Sequence, residues 1–223
     1  MIYVFDLDDT LYPEITFVQS GFKAVAKGIS TLISIDEKTI YNQLIEELNQ
    51  NGRGKVFNKV LTKHDILSKK EIKRCLHTYR LHTPEISLYP YSDQVLGALS
   101  DHPLYLVTDG NKLVQNNKVK ALGIENQFKK VFITHRYGVK HAKPSTYCFH
   151  KILELEKAQA NELVYFGDNP KKDFINLKKE GFRTIRVKTG SYKDDFYGQS
   201  HEAEVSIPNL SHFREGLSEL RNI

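Results

Sequence analysis

A chain of 223 residues, 40% of them hydrophobic, can build one compact core and carry an inserted segment, and it holds no apolar run of membrane-crossing length. Its formal net charge of +5 is modest and comes with no nucleic-acid fold signature, so nucleic acid is not the expected partner. Cys75 and Cys148 stand in no metal-ligand spacing and suit a reducing compartment; with no basic and apolar leader before the first strand, a cytoplasmic protein is expected.

The run Ile2-Tyr3-Val4-Phe5 reads as a short buried strand. Asp6 and Asp8 emerge where it should end. An unpaired buried carboxylate is costly, so something positive should meet them: a metal ion, a lysine or both. Asp9 is expected to face solvent or cap the turn. From 14 to 87 there are no β-rich runs. Phe17, Val18, Phe22, Val25, Ile29 and Ile33 recur at helical spacing, as do Ile40, Leu44, Ile45 and Leu48. After the break Asn51-Gly52-Arg53-Gly54, Val56, Val60 and Leu61 suggest another helix, and Ile72, Leu76 and Tyr79 a fourth. Arg53, Lys55, Lys59, Lys63, Lys69, Lys70, Lys73 and Arg74 read as a solvated helical face, or as an attraction for an anionic substrate.

Leu88-Tyr89-Pro90-Tyr91 returns the chain to its core, and Val95, Leu96 and Leu99 form one face of a helix. The strand Leu104-Tyr105-Leu106-Val107 ends in Thr108-Asp109-Gly110-Asn111. A helix from Leu113 to Leu122 is stopped by Gly123, and the strand Val131-Phe132-Ile133-Thr134 follows. The cationic stretch from His135 to His141 reads as a solvated loop at a strand end. Pro144 discourages helix at Lys143 and suits the first turn of a helix after it, with Tyr147 to Leu155 as the helical run. The strand Leu163-Val164-Tyr165-Phe166 ends in Gly167-Asp168-Asn169-Pro170-Lys171-Lys172-Asp173. A helix from Phe174 to Lys179, strands at Thr184–Val187 and Val205–Ile207, and a helix from Phe213 to Leu220 complete the chain.

Apolar runs that alternate with helical patterns imply an α/β fold with a parallel sheet. Ligands bind such sheets at the carboxyl ends of the strands. The ends carrying Asp6, Thr108 and Asp168 should therefore converge on one crevice. The expected division is a core of 1–13 and 88–223 with a helical insertion at 14–87.

Four motifs stand in order: D-x-D-x-T at Asp6 to Thr10, Thr108 after a strand, Lys143-Pro144, and G-D-x-x-x-x-D at Gly167 to Asp173. This series resembles the haloacid dehalogenase-like (HAD) hydrolase superfamily over the whole chain. The resemblance implies a Rossmann-like core with a C1-type helical cap that sets substrate choice. It implies Asp6 as nucleophile, Asp8 as general acid/base, and Thr10 as support for the loop. Thr108 and Lys143, with the backbone at Asp109 and Gly110, would hold a phosphoryl group. Magnesium would be held around Asp6, Asp8, Asp168 and Asp173, with a backbone carbonyl among the ligands.

A phosphate dianion repels a carboxylate nucleophile, and a hard cation on oxygen ligands offsets that repulsion. Haloacid dehalogenases of the family lack an acid at the position of Asp8, because a departing halide needs no proton; Asp8 thus points to phosphate monoesters. The expected activity is magnesium-dependent hydrolysis of a small phosphate monoester, a sugar phosphate or a nucleoside monophosphate, through an aspartyl-phosphate. A phosphomutase, or in another class a non-catalytic phospho-ligand binding protein, is the alternative. One departure is Asp109, where many members carry Asn: it should point away, pair with a basic group, or contact substrate hydroxyls.

Overall fold

The computed structural model describes residues 1–223. Six strands, β1 (Ile2–Phe5), β2 (Leu104–Thr108), β3 (Lys130–Ile133), β4 (Leu163–Gly167), β5 (Arg183–Val187) and β6 (Val205–Ile207), form one parallel sheet in the order β3-β2-β1-β4-β5-β6. β1, β2 and β4 are buried along their whole length. That is why they read as unbroken apolar runs instead of alternating ones. The order runs outward from β1 on both sides, so the loops after β1 and β4 part company there and leave a crevice beyond the strand ends. Phe5 aligns with Leu106 on one side and Phe166 on the other, which brings the residues after each strand to the same level.

The chain divides into two compact units, 1–14 with 87–223, and 15–86. The first carries the sheet, with α5 (Ser92–Ala98), α6 (Lys112–Leu122), α7 (Tyr147–Glu156), α8 (Ile175–Lys179) and α9 (Phe213–Arg221). One of its core clusters joins Val4, Tyr105, Phe132, Phe149, Ile152, Tyr165, Phe174 and Leu177. α6 is delimited as its sequence suggests: the Asn111 side chain accepts from the N–H of Leu113 and Val114, and Gly123 closes the helix in the left-handed region.

The second unit is helical: α1 (Glu14–Ile33), α2 (Glu37–Asn51), α3 (Val56–Lys63) and α4 (Lys69–Leu81). Phe22, Val25, Ile29, Ile40, Leu44, Val60 and Leu61, all on the stripes that the helical spacing marks, meet in its core; from the fourth helix Cys75 is the buried member, and Ile72, Leu76 and Tyr79 pack against the cluster half-buried. Asp36 and Ser68 cap α2 and α4, and the basic residues from Arg53 to Arg74 are exposed. No helix of the chain is long and apolar enough to cross a membrane.

Three local expectations need correction. Thr134 lies past the end of β3, in a short 3-10 turn. Pro144 is not in the first turn of a helix: the Lys143–Pro144 peptide is cis, and α7 starts only at Tyr147. Asp9 does not face solvent. It is buried with φ 56°, because its carboxylate has backbone donors to meet.

Candidate active site

Asp6 leaves the tip of β1 and Asp168 the tip of β4, and Asp173 folds back beside them on the same loop. Carboxylate oxygens of these three buried acids lie within 4.8 Å of one another. The turn that carries Asp173 is built locally: its backbone N–H donates to the Asn169 carbonyl, 3.0 Å, and its Oδ2 accepts from the N–H of Asn169, 2.9 Å. Lys143 Nζ threads the cluster, 3.0 Å from Asp6 Oδ1 and 2.8 Å from Asp173 Oδ1. It also donates to Tyr165 Oη, 2.7 Å, which in turn donates to Asp173 Oδ1, 3.1 Å.

The electrostatics show an unbalanced site. Burial pushes the Asp6 carboxyl up to about 6 against the pull of Lys143. Burial, then the charges of Asp173, Asp6 and Asp9, hold Asp168 well above the ordinary carboxylate range. Burial works against the charge on Lys143 as well, but Asp173 and Asp6 outweigh it and raise its pKa well above the usual lysine value. Three carboxyl groups crowd one ammonium in contact with them, an excess of acid that their raised pKa values express, and each donor is a hard oxygen. That excess and that donor set fit one magnesium ion held by Asp6, Asp168 and Asp173. Two further groups await a partner: the hydroxyls of Thr108, at the end of β2, and of Thr10 are buried without one, a state that buried polar groups seldom keep.

The Asp8 carboxylate stands outside this cluster. Its Oδ1 accepts from Tyr12 Oη, 2.5 Å, and Lys118 Nζ, 2.7 Å, and its Oδ2 from Gln115 Nε2, 2.9 Å. Burial opposes its charge, but Lys118, Tyr12 and Gln115 together keep its pKa below the usual range. Gln115 Nε2 also donates to the Asp109 carbonyl, 2.5 Å, which ties the loops after β1 and β2 together. A Cβ on Gly110 would lie 2.8 Å from that amide at φ +134°, so glycine alone leaves Gln115 its path.

Asp9 braces the same loop from behind. Its carboxylate accepts from the N–H of Glu14, 2.8 Å, at the start of α1, and from the N–H of Ser191, 3.1 Å; its carbonyl accepts from Thr189 Oγ1. Gly190 is pressed on it, with φ +66° and no space for a Cβ, which would fall 2.0 Å from Asp9 Cγ.

Asp109, the departure from the family pattern, pairs with a basic group. Its Oδ1 accepts from Thr134 Oγ1, 2.7 Å, and the N–H of Lys143, 3.1 Å; its Oδ2 lies 3.3 Å from Lys172 Nζ. Burial is opposed here by Lys143 and Lys172, and the carboxyl pKa is lowered.

The expected residues Asp6, Thr108, Lys143, Asp168 and Asp173 thus gather at adjacent strand ends, whereas the carboxylates of Asp8 and Asp109 are engaged by lysines of their own. In the His135 to His141 stretch Arg136 donates to Asn116 Oδ1, 2.7 Å, and Lys140 is exposed. Sequence reasoning missed Tyr12, Gln115, Lys118, Tyr165 and Lys172. For Lys172 there was a signal: an acid in place of Asn at 109 asks for a basic partner, and the loop from Asp168 to Asp173 contains two lysines.

Known proteins point the same way. Residues 3–187 match the family model of haloacid dehalogenase-like hydrolases. The glyceraldehyde 3-phosphate phosphatase of Methanocaldococcus jannaschii is 33% identical over 204 residues, 86% of each chain. Among solved structures, a magnesium-bound HAD-hydrolase of Bacillus subtilis superposes with a TM-score of 0.67 at 16% identity over 96% of both chains. A 2-haloacid dehalogenase of Pseudomonas syringae gives 0.66 at 20% identity, over 98% of this chain and 99% of its own. Neither of these similarities goes beyond the fold. With the four motifs in place on the sheet and a helical insertion between β1 and β2, the chain belongs to the haloacid dehalogenase-like hydrolase family.

Proposed function

We propose that this protein is a magnesium-dependent phosphatase that hydrolyses a small sugar phosphate through an aspartyl-phosphate on Asp6. The observation that carries the reading is the cluster of Asp6, Asp168 and Asp173 within 4.8 Å, beside a Thr108 hydroxyl buried without a partner. Asp8 favours an ester over a halide, and the glyceraldehyde 3-phosphate phosphatase relative favours a sugar phosphate over a nucleotide. A magnesium ion bound by Asp6, Asp168 and Asp173, with a backbone carbonyl in the loop of Asp8, would supply positive charge against the phosphoryl oxygens and relieve the excess of acid.

The residues divide the rest of the work. An Asp6 carboxylate oxygen attacks phosphorus, and the bond from phosphorus to the ester oxygen breaks. Asp8, which Lys118 and Tyr12 hold ionised in the free protein, takes up a solvent proton as the ester binds and delivers it to the departing alkoxide. Water then attacks the phosphorus of the aspartyl-phosphate, Asp8 takes its proton, and the Asp6 carboxylate is released. Thr108 donates its free hydroxyl to a phosphoryl oxygen. Lys143 holds Asp6 and Asp173 in place, and Tyr12, Gln115 and Lys118 orient Asp8. Most of the catalysis in such a transfer is positioning and charge stabilisation. The helical insertion, which leaves the sheet unit soon after the Asp6 to Thr10 loop, is the segment proposed to choose among esters.

A panel of phosphate monoesters that includes glyceraldehyde 3-phosphate, sugar phosphates and nucleoside monophosphates tests the reading. Hydrolysis of a sugar phosphate that stops in excess chelator and returns with magnesium is the expected result. Undiminished turnover in chelator, or release of phosphate from nucleotides alone, contradicts it.

A further inference from the structure

The donors that meet Asp8 are shared unevenly between its two oxygens. A carboxylate offers about two acceptor sites on each oxygen. Oδ1 takes both Tyr12 Oη at 2.5 Å and Lys118 Nζ at 2.7 Å, two short bonds from buried side chains. Oδ2 takes one, from the Gln115 amide at 2.9 Å. The fold therefore fills Oδ1 and leaves one site open on Oδ2. The Asp8 side chain is 21% exposed against 3% for Lys118, so solvent reaches the carboxylate and not the lysine behind it.

Gln115 is fastened on two sides. Its Nε2 lies 2.9 Å from Asp8 Oδ2 and 2.5 Å from the Asp109 carbonyl. Both neighbours are acceptors, so the amide is fixed with its nitrogen toward them; turned over, it would set oxygen against oxygen. Gln115 Oε1 is left buried without a donor, and an unmet buried acceptor is costly. A side chain there for packing alone would be apolar and carry no such cost. The donor end accounts for it: Nε2 ties the open oxygen of Asp8 to the backbone that follows Thr108, the strand end at which a phosphoryl group is expected.

We propose that Oδ2 is the oxygen through which Asp8 moves protons, and that Gln115 is the positioning residue that aims it, while Tyr12 and Lys118 anchor Oδ1. The inference rests on the phosphatase reading and deepens it. The proton carried on Oδ2 passes to the ester oxygen as the bond from phosphorus to that oxygen breaks, and the electron pair of that bond stays on the alcohol. In the second step Oδ2 takes a proton from the attacking water, whose oxygen bonds to phosphorus as the bond to Asp6 breaks. Gln115 touches neither the ester nor the water; it acts by keeping the Asp8 carboxylate from turning.

The test compares two esters in a single turnover of the magnesium-loaded protein, stopped by rapid quench. The alcohol of the preferred sugar phosphate is a poor leaving group and needs the proton of Asp8; the phenolate of p-nitrophenyl phosphate leaves without it. Gln115→Met, and Gln115→Leu as a second variant, should slow release of the sugar alcohol by about tenfold or more and release of nitrophenolate by less than about threefold, because a positioned acid matters only where the leaving group needs its proton. Tyr12→Phe, which leaves Lys118 on Oδ1, should change the ratio of the two rates less than Gln115→Met does. In an Asp8→Asn background Gln115→Met should slow the sugar phosphate no further, because the group it aims is gone. Equal loss on both esters, a larger change of ratio in Tyr12→Phe, or a full additional loss in the Asp8→Asn background would overturn the proposal. A wild type that hydrolyses neither ester ends the phosphatase reading and this inference with it. A wild type that hydrolyses both while Gln115→Met matches it on each ends the assignment of Gln115 alone.

Discussion

The two units of this chain bury different things. In the helical unit, 15–86, the one buried polar side chain is Ser20, which accepts from the N–H of Glu85 and pairs with His82; the rest of the buried set is apolar. The sheet unit buries Asp6, Asp9, Lys118, Lys143, Asp168, Asp173 and Arg186 among its apolar groups. Taking a charge out of water is expensive, and pairing seldom does more than offset the cost. A unit that needed only to fold would follow the helical example. The contrast teaches where stability comes from in one unit and where it is given up for chemistry in the other.

Exchange of one atom at the centre of the acid cluster should separate the two most. Asp6→Asn should lower turnover on the order of 10⁴-fold or more, as removal of a nucleophile does elsewhere. In the magnesium-free protein at pH 8 it should not lower the melting temperature, because it removes an ionised group that burial disfavours. A melting temperature that falls as far as for a core truncation would mean that the cluster is a structural device.

Leu61→Ala is the mirror case. Leu61 is fully buried among apolar neighbours, and its truncation should cost about 2–5 kcal/mol, read as lost amide protection within 15–86. A cost near zero would mean that the apolar core is not what holds that unit.

The smallest effect is also the most particular: stability should slope in opposite directions with pH. Asp6, raised to about 6, takes up a proton in the fold before the unfolded chain does, so the magnesium-free sheet unit gains stability as pH falls from 7 to 5. His82 is partly buried between Ser20 Oγ and the Tyr79 carbonyl, and burial lowers its pKa. The unfolded chain protonates there first, so the helical unit loses stability over the same interval. Hydrogen exchange at pH 7 and pH 5 reads each unit separately, and slopes of the same sign would undo the comparison.

The same contrast explains what could be read from the sequence. The helical unit was legible in full as elements, because its core is made by apolar spacing and nothing else. In the sheet unit, Asp6, Thr108 and Asp168 were legible because polar residues at the ends of apolar strands have no packing reason to be there, and Lys143 and Asp173 because the Lys143-Pro144 and G-D-x-x-x-x-D motifs complete the resemblance to the family. Tyr165 was hidden because a tyrosine inside a β-rich run reads as core, which it is on its Phe149 side, while its hydroxyl serves Lys143 and Asp173. Gln115 and Lys118 were hidden because polar residues within a helix read as solvated. Only the fold reveals that this face of α6 turns to Asp8. The solvent-facing reading of Asp9 failed because its donors, the N–H groups of Glu14 and Ser191, lie five and 182 residues away along the chain.

The central claim is that Asp6 carries the phosphoryl group between ester and water. Acid quench of the magnesium-loaded protein during turnover of its preferred sugar phosphate, followed by mass spectrometry of the peptides, tests it directly. The account predicts one phosphoryl group on the peptide that carries Asp6, absent in Asp6→Asn. Steady release of phosphate with that peptide unmodified at every quench time, and with Asp6→Asn still turning over, would contradict it.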